Sequence, residues 1–283
     1  MTAGYTTGQA KILSTLKEFG DQEDNDIDIG ETALLLAALD QPDADLMVYR
    51  EHLSKIAADV AALVPGTSTH NVAKRTQALS EIITSDRGYQ GDADTYDNPQ
   101  NANLINVIDR RKGLPVALAI IYLDVAHRLG WEATGINFPG HFMIRLERGT
   151  VRSIIDPFNG GIERDVADLR ALLKQMAGSD AELQPDHYSP ISSRDTLIRL
   201  LNNIKLRALS GNDPERAAEI MDRMLLIAPR RLPLLQEAGA FYAGIGNLRR
   251  AASVLEEFLA QSTNEASRHE AATLLHKVRS RLN

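Results

Sequence analysis

The chain has no cysteine among its 283 residues. That removes disulfides, thiolate metal sites and thiol nucleophiles together, and it suits a cytoplasmic protein. An excess of positive charge is missing too. The formal net charge is −7 and no basic stretch alternates with aromatic residues, so neither nucleic acid nor an anionic membrane is an expected partner. No apolar run is long enough to span a bilayer. The opening residues, MTAGYTTGQAKIL, lack a basic start followed by an apolar segment, so no secretory signal is expected. There is no Walker loop and no dinucleotide fingerprint after a strand, so no cofactor is expected. His52, His70, His127, His187, His269 and His276 form no His-x-x-x-His or Glu-flanked metal pattern, and each reads as a solvent-facing or structurally satisfied histidine. Residues 21–28 are acidic but lack the Gly and the closing Glu of a calcium loop.

What is present is 43% hydrophobic sequence, enough for a buried core in two modest domains or one large one. The chain is organised around Gly113–Phe158. Leu114–Leu129 reads as a buried helix, with Pro115 at its first turn, where the missing N–H is no loss, and Gly130 placed as a left-handed cap. Trp131–Phe138 reads as a strand and Pro139-Gly140 as a turn. His141–Leu146 and Val151–Asp156 read as a hairpin around Glu147-Arg148-Gly149-Thr150. A turn centred between Arg148 and Gly149 sets Leu146 opposite Val151, Phe142 opposite Ile155 and His141 opposite Asp156. Opposed side chains share a sheet face, and an imidazole beside a carboxylate has its tautomer fixed and its basicity raised. The same contact also serves simply to tie two strands, and these residues alone leave both readings open.

Gly113-Leu114-Pro115, Asn137-Phe138-Pro139-Gly140-His141-Phe142 and Asp156-Pro157-Phe158 resemble the SirB-type branch of the transglutaminase-like superfamily. The resemblance implies a papain-like core in which a helix N-terminus presents a Cys and two strands present a His and an Asp. Position by position, His141 and Asp156 match the His and the Asp, while Pro115 stands where the superfamily has its Cys. The SirB-type branch commonly lacks this Cys, so the resemblance itself implies the loss.

Before this stretch, residues 1–30 read as a mobile lead-in. Helices are expected over Glu31–Leu39, Leu46–Val64 (with Asp43 or Asp45 as cap) and Asn71–Ile83. Residues 86–103 form a long polar loop, in which Tyr96, Asn98 and Asn101 are candidates to line the cleft together with Asn137; the plain alternative is a surface loop with Asx turns. Leu104–Arg111 is a short helix closed by Gly113. After the hairpin, Asp165 caps a helix to about Met176, and Gly178–Pro190 reads as a polar linker between domains.

The C-terminal part repeats itself. Ile220, Met221, Met224 and Leu225 recur as Val254, Leu255, Phe258 and Leu259, a spacing equal to the tetratricopeptide repeat length of about 34 residues. Helices near 194–210, 214–227, 233–244 and 248–261 make two hairpins, Ala217 and Ala251 allow close crossing, and residues 265–282 form a closing helix. An unrelated helical bundle is the alternative.

The expected architecture is therefore α+β: a lead-in at 1–30, a transglutaminase-like (papain-like) domain with a helical N-terminal section at 31–190, and tetratricopeptide-like α-hairpins at 191–283. Two function classes follow. One is a non-catalytic member whose cleft and repeats bind a protein or peptide partner. The other is a cysteine-independent hydrolase or acyl transferase using His141 and Asp156. The missing nucleophile favours the first.

Overall fold

A computed structural model describes residues 6–24, 26–66 and 70–282. It separates into two compact units, one of Met1–Leu13 with Glu23–Leu200 and the other of Ser14–Gln22 with Leu201–Asn283.

In chain order the elements are α1 (Thr7–Asp21), α2 (Ile29–Ala38), α3 (Leu46–Leu63), α4 (Val72–Ser80) running into a π-helical turn (Glu81–Asp86), β1 (Gln90–Gly91), α5 (Leu104–Arg110), β2 (Lys112–Gly113) and α6 (Pro115–Arg128). Then come β3 (Glu132–Ile136), β4 (Met143–Arg148), β5 (Val151–Asp156), β6 (Ile162–Arg164), α7 (Val166–Ala177) and β7 (Pro190–Ile191). The helices α8 (Ser193–Ser210), α9 (Pro214–Ile227), α10 (Leu232–Gly244), α11 (Leu248–Gln261) and α12 (Glu265–Ser280) complete the chain.

Local chemistry sets most helix ends in the first unit. Asp28, Asp45 and Asn71 accept backbone N–H groups at the starts of α2, α3 and α4, and Asp165 forms a reciprocal capping box with Asp168 on α7. Gly130 takes φ +66, and the Trp131 N–H bonds the Ala126 carbonyl at 2.9 Å, so α6 ends in a Schellman-type cap. The run from Pro115 to Ala126 is buried on all sides, as its apolar residues require, and the one charge within it, Asp124, is paired with Arg128 at 2.7 Å. It packs against α2, α3, β3 and β4.

The sheet is antiparallel, in the order β6-β5-β4-β3-β7. Its central hairpin differs in register from the sequence expectation. Ile144 faces Ile155, Leu146 faces Ser153 and Arg148 faces Val151. The turn is centred between Gly149 and Thr150, one position later than expected, because Gly149 supplies φ +59 at the first turn position. Every partner therefore moves by two residues. Since side chains alternate with period two, each keeps its expected face.

Two boundary expectations are corrected. Residues 1–30 are not simply a lead-in, since α1 is a regular helix in which Leu16 and Gly20 are buried. In the second unit, Gly20 lies against the Leu226 carbonyl, a contact a Cβ would prevent, and Arg230 Nη2 donates to the Asp21 carbonyl at 3.0 Å. The apolar face left by so few repeats draws this segment in. Nor is 178–190 a linker. Ala181, Leu183 and Tyr188 pack on a core of Ile136, Phe138, Met143, Leu169 and Leu173, and β7 pairs with β3. The polar residues of this stretch masked the few apolar ones that anchor it.

The repeat expectation agrees with the helices of the second unit. Ala217, Ile220, Met221 and Met224 on α9 and Ala251, Val254, Leu255 and Phe258 on α11 are all buried. Gly239 on α10 admits Leu255, whose side chain a Cβ there would displace.

Candidate functional site

Phe138 accepts a hydrogen bond from the His141 N–H at 3.0 Å, with Pro139 second and Gly140 third at φ +68, the residue order of a type II turn. The turn holds His141 just before β4, so its ring reaches the end of β5 from outside the ladder. Its Nε2 lies 2.8 Å from Asp156 Oδ1.

Asp156 is fully buried, and four groups meet its two oxygens. Oδ1 takes His141 and the Asn159 N–H at 3.2 Å; Oδ2 takes Asn159 Nδ2 at 2.8 Å and the Arg164 guanidinium at 3.0 and 3.2 Å. Burial pushes the carboxyl pKa up, but the bonds from His141, Asn159 and Arg164 outweigh it and hold the group down at about 2. Asp156 is therefore ionised, so His141 Nε2 carries the proton it donates and Nδ1 is the ring's basic nitrogen. Among the described residues Nδ1 has no hydrogen-bond partner.

An aromatic row extends from the imidazole. The Phe158 ring stands edge-on to His141 at 6.1 Å and to Tyr96 at 5.9 Å. It lies over Gly91, where a Cβ would come within 2.5 Å of the ring, and the Phe158 carbonyl accepts the Gly91 N–H at 3.1 Å. Tyr96 thus joins the His141 group, and its 40% exposure leaves it facing solvent.

The other candidates do other work. Asn101 is completely buried, donates to the Thr95 carbonyl at 2.7 Å and accepts from Arg110 at 2.8 Å, so it holds the 92–103 loop together from inside. Asp92 completes that tie through Thr95 and Arg110. Asn98 caps a short 3-10 turn by accepting the Gln100 N–H at 3.0 Å. Asn137 is exposed and makes no hydrogen bond among the described residues. Pro115 is buried as the first residue of α6 and has no nucleophilic atom to offer.

No serine takes its place by proximity in sequence. Ser153 faces Leu146 and accepts from Thr76 Oγ1 at 2.9 Å on the face toward α4. Behind Asp156, Ser80 donates to the Gly161 carbonyl and Thr84 bonds Tyr122 at 2.8 Å, so these hydroxyls are already committed. Of the remaining histidines, His127 bonds the Ala133 carbonyl at 2.8 Å, His52 meets Tyr89 and Arg111, and His187 accepts the Gln184 N–H. Among the described residues no group of three or more His, Asp or Glu could hold a metal ion, and no helix is long and apolar enough to cross a membrane.

Sequence reasoning missed Arg164, Asn159 and Gly91. Arg164 sits on a strand of only three residues, too short for a readable alternation. Its two-residue offset from Ile162 was the only available signal.

A helix-led antiparallel sheet presenting a His–Asp pair is the core of one broad class, and the superfamily profile described as transglutaminase-like matches residues 48–202. The chain belongs to the transglutaminase-like superfamily. A tetratricopeptide repeat profile matches residues 204–282. The chain is similar to a UPF0162 protein of Xylella fastidiosa (strain 9a5c), 31% identical over 254 residues that cover 88% of this chain and 89% of the relative. A UPF0162 protein of Vibrio cholerae is 27% identical over 247 residues, covering 87% of this chain and 90% of that one. F-box only protein 21 of Homo sapiens is 22% identical over 273 residues, which cover 86% of this chain but 42% of that protein.

Proposed function

We propose that this chain is a non-catalytic transglutaminase-like protein that acts in the cytoplasm as a protein- or peptide-interaction or regulatory module. The observation that carries the reading is a chain without any cysteine, in which the resemblance sets Pro115 at the position of the superfamily nucleophile. Covalent acyl transfer by the thiol route needs a thiolate aligned beside the imidazole. The tetratricopeptide match supports partner binding, since such repeats stack into extended binding surfaces.

A cysteine-independent hydrolase or acyl transferase is the second reading. It is favoured by one observation, the Nε2–Oδ1 bond of 2.8 Å that leaves His141 Nδ1 as a base for water. Against it, Arg164 already meets the Asp156 charge, which weakens the carboxylate's support for an imidazolium.

Amine-incorporation and peptide-hydrolysis assays on the purified chain distinguish the two. The interaction reading expects no turnover above background, and peptides selected from a displayed library to bind the chain without being cleaved. Turnover that vanishes in His141→Ala and survives metal chelation would make the water route the lead.

A further inference from the structure

Arg145, Ile154 and Arg164 face one another across β4, β5 and β6, so their side chains share one sheet face. On that face a cavity of about 660 Å³ lies between the sheet, α7 and residues 183–188. Arg145, Arg152, Arg164 and Arg170 all line it.

Arg145 is the buried member, only 9% exposed. Its Nη2 donates to Glu147 at 2.7 Å, and its Nη1 reaches only the Tyr188 carbonyl, at 3.4 Å. The buried Nε–H has no acceptor among the described residues. Glu147 is moreover divided, since its other oxygen takes Arg152 Nε at 2.9 Å. One carboxylate therefore serves two guanidinium groups.

The lining also holds Glu163, Asp165 and Asp168. Asp165 and Asp168 are engaged in the capping box of α7, and all three are exposed, where water screens them. None accepts from Arg145. A buried guanidinium with an unused donor is costly to keep. The partner that matches its planar fork is an oxyanion. The remaining wall, Ile154, Leu169, Leu183 and the Tyr188 ring, is apolar enough to cover an organic body. The volume lies in the range of small-ligand sites, about 300–1,000 Å³.

We propose that this cavity binds an organic group carrying a carboxylate or a phosphate, with Arg145 as the buried anchor and Arg152 and Arg170 as exposed contributors. The group belongs either to a free small anion or to a side chain of a peptide. The proposal does not rest on the interaction reading, because a free anion fills the site in a protein with no macromolecular partner.

The test is calorimetric titration of the full chain with inorganic phosphate, with citrate and with a phosphoserine peptide. Saturable binding of at least one probe is expected, weakened at least about tenfold in Arg145→Met and unchanged in Arg281→Gln. Tighter binding of the peptide than of phosphate or citrate assigns the source to a protein side chain; the reverse assigns it to a free anion. Should Arg145→Met fail to fold, Arg152→Gln, a change at a largely exposed position, decides in its place. The proposal is overturned if no probe binds saturably at millimolar concentration, or if the deciding variant binds as the wild type does.

Discussion

Arg164 donates twice to one oxygen of Asp156, from Nε at 3.2 Å and from Nη2 at 3.0 Å. The carboxylate is therefore balanced by a permanent cation whether or not His141 is charged. In a catalytic pair the Asp stabilises the imidazolium that forms during turnover. Here part of that field is already committed, and the Asp156 carboxylate is a clasp on which the ends of β5 and β6 and the His141 turn converge.

That clasp makes Asp156→Asn the most damaging conservative change at the site. It leaves the Arg164 charge only 21% exposed and without its partner. Removing one member of a buried pair costs several kcal/mol, and with Arg164 partly solvated about 3 kcal/mol is expected. His141→Ala should cost less, since Arg164 and Asn159 still satisfy the carboxylate. Urea melts of both variants check the order; an Asp156→Asn variant as stable as the wild type would remove the clasp.

Asp156 also sets an acid limit. Its folded pKa of about 2 is below the ordinary carboxylate value, so the unfolded chain binds the proton more readily. Its stabilisation is complete above about pH 4 and disappears as pH falls through about 2. Urea midpoints between pH 5 and pH 2 should fall more steeply for the wild type than for Asp156→Asn.

A second window comes from His52. Burial, then repulsion from Arg111, Arg87 and Lys55, pushes its pKa down to about 4. The unfolded chain protonates at higher pH than the folded one, so stability decreases as pH falls from about 6.5 to 4. His52→Gln keeps a polar group beside Tyr89 and should flatten this part of the stability–pH curve. An unchanged slope would show that His52 is not the group responsible.

Gly91 and Phe158 form a tight pair. A Cβ at position 91 would come within 2.5 Å of the ring, so Gly91→Ala should cost about 1–3 kcal/mol by overpacking. In a Phe158→Ala background the same change should cost far less, because contacting residues do not act additively. A double-mutant cycle reads this directly, and additive effects would contradict the packing.

Leu16 tests the role of α1. Its side chain is completely buried, so Leu16→Ala should destabilise the protein by about 2–5 kcal/mol. A mobile lead-in would show no effect. Thermal melts of the variant separate the two outcomes.

Much of this was decided by the sequence alone, wherever the signal is local. Asp45, Asp165 and Gly130 act on backbone groups within a few residues, so their caps could be read from residue type and spacing. The 34-residue recurrence placed α9 and α11 because the apolar period of a helix is a property of the chain itself. The faces of β4 and β5 survived a wrong register, since a shift of two residues leaves alternation intact, but His141 meets Asp156 from the turn before β4 and not as its cross-strand partner. Tertiary structure decided what depends on distant partners. Asn101 looked like a cleft residue because an Asn in a polar loop reads alike whether exposed or buried, and only Thr95 and Arg110 closing on it show the difference. Residues 181–188 read as a linker because three apolar side chains carry no period, yet the sheet core captures them. Arg164 reaches Asp156, and Arg145 is left with an unused donor, only because strands β4 to β6 lie side by side, which no spacing along the chain encodes.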